Sequence, residues 1–97
     1  MTIPQEGIEV VRRFTTAINF LISEKKLRGR QTFCKRYGID KRNFYLVERA
    51  PESNYLKVFW LTYLVRDYHV SARWLLTGKG NMIRKRPLVN NLQTEKE

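Results

Sequence analysis

The stretch R-G-R-Q-T-F-C-K-R-Y-G-I-D-K-R-N-F-Y-L-V-E-R-A, Arg28 to Ala50, decides the fold. Phe33, Cys34 and Tyr37 carry a short helical period that Gly38 breaks, and Asp40 is a good N-cap for a second helix through Phe44 and Val47. Two helices that cross steeply approach closely only where a small side chain occupies the crossing, and Cys34 supplies one. The turn between them needs a residue that tolerates positive φ, which is Gly38. Phe33, Tyr37, Ile39, Phe44 and Val47 then face one interior. The spacing predicts a helix-turn-helix over about residues 30–49.

Upstream, Ile8, Val11, Phe14, Ile18, Leu21 and Ile22 recur every three or four positions, which predicts an amphipathic helix from about 7 to 26. Downstream, Pro51 disfavours helical geometry at Ala50 and ends the second helix of the pair. Ser53 or Asn54 is placed to cap the next helix, whose stripe of Leu56, Phe59, Trp60, Tyr63 and Leu64 runs to about Tyr68. Ser71 caps a short last helix with Ala72, Trp74 and Leu75, and Gly78 closes it in the left-handed conformation. The expectation is an all-α fold of five helices without strands. Residues 1–6 are expected as an N-terminal tail and 7–83 as one domain. The basic tail 84–97, opening Arg84-Lys85-Arg86-Pro87, has little to bury and is expected to be loosely ordered.

With 97 residues, 42% of them hydrophobic, the chain suits a single core and leaves little apolar material to line a deep substrate pocket. A net charge of +10 points to an anionic partner. That charge is concentrated: Lys25, Lys26, Arg28, Arg30, Lys35, Arg36, Lys41, Arg42 and Arg49 are opposed over the same stretch only by Asp40 and Glu48. Cys34 and His69 are the single residues of their types, so an intramolecular disulfide is excluded and no Cys/His set for structural zinc exists. Neither a leader-like start nor a membrane-length apolar run is evident, and a reducing, cytoplasmic location is expected. His69 has no carboxylate or nucleophile motif beside it, so no enzyme chemistry, metal or cofactor is expected.

The paired helices, followed by H-V-S-A-R-W-L-L-T-G-K-G-N-M from His69 to Met82, resemble the lambda-repressor-like (XRE, Cro/repressor) family over about residues 8–83. In that family a hydrophobic-Ser-x-x-Trp-Leu-Leu-x-Gly run is common in the fifth helix. The resemblance implies a sequence-specific regulator of transcription, most often a repressor, that binds double-stranded DNA as a homodimer on a two-fold-related operator. It assigns residues 40–49 to the recognition helix in the major groove and 30–37 to the helix crossing the phosphate backbone. Carried over by position, base contacts fall on Lys41, Arg42, Asn43, Tyr45 and Leu46, with Arg42 able to bond guanine N7 and O6 in parallel. Phosphate contacts fall on Arg30, Gln31, Lys35, Arg36 and Arg49.

Three positions depart from the family pattern. Ala50-Pro51 replaces a usual glycine, so the following loop is expected to take its own path. His69 replaces a frequent glycine and is expected at positive φ. Ser23 stands where many relatives carry an arginine that pairs with the glutamate matching Glu48, so that pair is expected to be absent or rebuilt.

Other readings use the same residues. The aromatic stripe Tyr55, Phe59, Trp60 and Tyr63 divides between core and a surface for a second copy or another protein, as in an antitoxin built on such a domain. A nonspecific nucleic-acid binder would instead stack Tyr37 and Tyr45 on unpaired bases. Cys34 reads as core rather than as a reactive thiol.

Overall fold

Phe14 collects one aromatic ring from each of the next three helices. Its ring centroid lies 6.2 Å from Phe33, 5.8 Å from Phe44 and 6.0 Å from Trp60. The computed structural model in which this packing is seen describes residues 4–53 and 55–84. In chain order it comprises α1 (Gln5–Ser23), α2 (Arg30–Tyr37), α3 (Lys41–Arg49), a 3-10 turn at Pro51–Ser53, α4 (Val58–Tyr68) and α5 (Ala72–Thr77). Among the described residues there is no strand, and one isolated antiparallel bridge joins Val70 to Ile83. The all-α expectation with five helices therefore holds.

Helices α1, α2 and α3 bury the face their periodicity marks, whereas α4 leaves Phe59 of its expected stripe 52% exposed and buries Leu61. Val11, Phe14, Ala17, Ile18 and Leu21 of α1 form the floor of the core. Phe33 and Cys34 of α2, Phe44 and Val47 of α3, Trp60, Leu61 and Leu64 of α4 and Leu75 of α5 close over it. Edge-to-face and tilted contacts among such rings add about 0.5–1.5 kcal/mol per pair to the area they bury. The Arg13 Nε–H of α1 donates to the Leu75 carbonyl at 2.8 Å, so a cation meets the C-terminal end of α5, where the helix dipole favours it.

Terminal chemistry follows the sequence at five of the predicted positions, among them Gly78, left-handed at φ 77° after α5. Gly38 is left-handed at φ 66°, and the Ile39 N–H donates back to the Cys34 carbonyl at 2.9 Å. Asp40 accepts from the Arg42 backbone N–H, and Ser71 accepts from that of Trp74. His69 takes φ 62° without being glycine.

Four boundaries are corrected. Gln5 and Glu6 belong to α1 rather than to a tail, because the Pro4 carbonyl receives the N–H groups of Gly7 and Ile8. At its other end α1 stops at Ser23, short of residue 26. Lys25 turns left-handed, and the amides of Lys26 and Leu27 fold back onto the Leu21 carbonyl. Ser53 does not cap α4, since its hydroxyl closes the 3-10 turn on the Ala50 carbonyl and the helix begins only at Val58. Arg84 belongs to the domain, not to a tail: its N–H donates to the His69 carbonyl at 2.9 Å. Met1–Ile3, Asn54 and the expected tail 85–97 lie outside the described residues.

Candidate nucleic-acid interface

At about 100° per residue, Lys41, Arg42, Tyr45 and Arg49 fall within roughly a third of the circumference of α3. All four are exposed, with Tyr45 40% accessible. Phe44 and Val47 hold the opposite face in the core at 0% and 1% exposure, so burial fixes the rotation of this helix. Leu46, at the border of the outward face, and Asn43, further round toward Val47, are half-buried. Of the five positions implied for base contact, Lys41, Arg42 and Tyr45 thus project fully and Asn43 and Leu46 only in part.

Across the turn Gly38-Ile39-Asp40, α2 turns Gln31, Lys35 and Arg36 outward. Lys35 and Arg36 occupy its last turn, where cations favour the helix dipole. Lys25, Lys26 and Arg28, exposed in the connection just before α2, extend the same basic stretch. They were visible in the charge run and drew no role of their own, because no motif position falls on them. Among the described residues the ion pairs are Arg30–Glu48 and Arg66–Asp67, and neither engages Lys35, Lys41, Arg42 or Arg49.

Arg30 differs from these cations. Its Nε–H donates to both Glu48 carboxylate oxygens, at 2.7 and 2.9 Å, and its Nη2 donates to the Asn19 side-chain carbonyl. One guanidinium therefore joins α1, α2 and α3, and the pair expected to be absent or rebuilt has been rebuilt from α2. Arg36 is also engaged, with its guanidinium 5.3 Å from the Tyr37 ring centroid and Nη1 donating to the Tyr68 hydroxyl at 3.3 Å.

The aromatic stripe splits in an unexpected way. Trp60 is 3% exposed and belongs to the core, so it is removed from the candidate partner surface. Tyr63 is half-buried, with its ring stacked on Tyr37 at 4.0 Å and 5°. Tyr55 and Phe59 remain exposed, at 43% and 52%. Sequence reasoning could not assign Trp60 to either side, because the helix has apolar residues over more than one face.

Behind the basic face, a polar tie links α2 to α4. The Tyr37 hydroxyl donates to Asp67 Oδ2 at 2.5 Å, and Arg66 meets the same carboxylate through Nε and Nη2 at 2.9 Å each. The Arg66 bonds, aided by Tyr37, hold the Asp67 carboxyl well below the usual range. Burial and the bond to Asp67 raise the Tyr37 phenol. Burial also raises the Cys34 thiol, which makes it a packed side chain rather than a reactive thiolate.

The arrangement offers exposed cations on two adjoining helices. Among the described residues no cluster of three or more His, Cys, Asp or Glu is disposed to hold a metal ion. Nor is any helix there long and apolar enough to cross a membrane. Comparison with protein-family models, curated proteins and solved structures returns no match to this chain.

Proposed function

We propose that this chain is a sequence-specific double-stranded-DNA-binding regulator of the lambda-repressor-like helix-turn-helix type, acting in the cytoplasm by occupying an operator. The observation that carries the reading is the outward face of α3, where Lys41, Arg42, Tyr45 and Arg49 are exposed while Phe44 and Val47 lock the helix from behind. An α-helix fits the major groove, where Arg42 would read guanine and Tyr45 or Leu46 a thymine methyl, and Asn43 would have to reach an adenine from its half-buried position. Lys35, Arg49 and the exposed Gln31 would position the protein on phosphates. Arg30 and Arg36 would reach a phosphate only from side chains already held by Glu48 and Tyr68.

Two copies, meeting through the exposed Tyr55 and Phe59, would set their recognition helices about 34 Å apart on one side of the duplex. A two-fold-related operator is then expected, and occupying it would block transcription without any chemical step.

Selection from a random duplex library at fixed physiological salt tests this reading, run with the wild type and with Arg42→Ala. The wild type should enrich a two-fold-related motif, and the variant should lose a guanine at one defined position, at about 1–3 kcal/mol. Equal recovery of all duplex sequences by the wild type would overturn it.

A further inference from the structure

An apolar trough lies between α4 and α5. Val58, Leu61, Val65, Ala72 and Leu76 line a hollow of about 350 Å³. A second hollow of about 260 Å³ shares Val58, Leu61 and Leu76 with it and continues to Val10 of α1. Val58 is 77% exposed and Leu76 57%, although both belong to helices. Joined through common walls, the two hollows form one elongated groove, and contiguous apolar surface with a polar rim marks an interaction site.

The rim has a sign. Between Lys57 and Lys79 the chain carries Lys57, Arg66, Arg73 and Lys79 as cations and Asp67 as its single acid. At about 100° per residue Asp67 falls on the side of α4 opposite Val58. Its carboxylate is taken up by the Tyr37 hydroxyl and by Arg66. Arg66 lines the trough, its side chain is 58% exposed, and its Nη1 has no partner among the described residues. Arg73, exposed on α5 beside Ala72, enters no ion pair among the described residues. At the far end the signs are mixed, since Lys57 precedes Val58 and Glu6 lies one helical turn before Val10.

We propose that this trough docks an amphipathic α-helix of another protein, with apolar anchors in the two hollows and carboxylates over Arg66 and Arg73. The site is built from α1, α4 and α5, and it stands whether or not α3 reads DNA. A helix suits the shape: laid in a groove, it presents anchors at i, i+3 or i+4, and i+7, over about 10 Å. From Val58 to Arg66, α4 alone provides about 12 Å of wall at 1.5 Å per residue.

A second copy does not suit the charge. It would bring +10 against +10, and its α4 and α5 would offer no free acid, Asp67 being already bonded. An acidic helix instead meets both rim arginines, which speeds its encounter and rejects basic competitors.

Selection of displayed random peptides on the full chain tests this, without DNA and with the Leu76→Gln protein as counter-selection. Recovered peptides should carry large apolar residues at helical spacing, with Asp or Glu gathered toward one end. Added to the wild type, such a peptide should shift the methyl resonances of Val58, Val65 and Leu76 to saturation. Val58→Gln and Leu76→Gln should each abolish the saturable shift. Both positions are exposed, and unchanged Ile18 and Leu21 methyls would show that the core persists. Arg66→Gln and Arg73→Gln should each weaken binding by about threefold, and both losses should vanish for the same peptide with its carboxylates changed to amides. A docked acidic helix is ruled out if no recovered peptide prefers the wild type to Leu76→Gln, or if those that do show no excess of acid over base. Trough methyls of the free protein that shift with its concentration would make a second copy the occupant and overturn the proposal. Overhauser contacts showing the trough filled by its own chain would overturn it as well.

Discussion

Arg30 carries two assignments that compete for one guanidinium. By position it belongs with the phosphate contacts, whereas its Nε–H lies on Glu48 and its Nη2 on Asn19. The pair is partly buried, with 29% of the Arg30 side chain and 13% of the Glu48 side chain exposed, so solvent screens it only in part. Removing the arginine strands a largely covered carboxylate, which costs more than the net worth of the pair itself. Arg30→Ala should therefore lower unfolding free energy by about 1–3 kcal/mol in urea titrations without DNA. Glu48→Gln should cost less, because its amide oxygen still accepts. An Arg30→Ala protein as stable as the wild type would return this residue to a purely phosphate-facing role. The sequence announced the problem, since Ser23 cannot pair with Glu48, but not its solution. A basic residue at the start of α2 could serve either the interior or a phosphate, and only its distance to Glu48 distinguishes the two.

Elements whose ends carry specific chemistry were legible to the residue, and those without it were not. Gly38, Asp40, Ser71 and Gly78 each do one identifiable thing: a left-handed turn or an accepted amide bond. The start of α4 has no such mark, because its N-cap is Lys57 and no side chain bonds there. The polar tie between α2 and α4 was equally invisible, since Tyr37 and Asp67 become neighbours only when the helices pack. The stability of that tie should depend on pH. The Asp67 carboxyl is held below its ordinary value of 3.8 in the folded protein, so its contribution is fully present above that pH. It is lost as pH falls through the lower, folded value. Asp67→Asn should accordingly lower the urea midpoint by a constant amount from neutral pH down to about 4, and by progressively less below it. Equal deficits at pH 7 and pH 2.5 would show that the carboxylate adds nothing through its charge.

For the molecule as a whole, hydrophobic periodicity specified which faces turn inward, while charge specified what the remaining surface is fit to meet. Phe14, Phe33, Phe44 and Trp60 fill one interior and leave α3 no freedom to rotate, so the cations of α2 and α3 stay on the outside together. With a net charge of +10, the proposed complex should be strongly salt-dependent, because each phosphate neutralised releases condensed counterions. Binding to a selected operator and to a scrambled duplex should both weaken as salt rises from about 50 to 200 mM, with a logarithmic slope of about −0.9 per phosphate contact. Lys35→Gln and Arg49→Gln should each flatten that slope by about 0.9 on both duplexes and leave the ratio of the two affinities unchanged. Arg42→Ala should instead lower the ratio, since a base contact is lost from the operator alone. The two kinds of variant thus separate positioning charge from sequence reading on the same titrations. A slope unaffected by Lys35→Gln would remove α2 from the interface, and a ratio unaffected by Arg42→Ala would remove the N-terminal turn of α3 from base recognition.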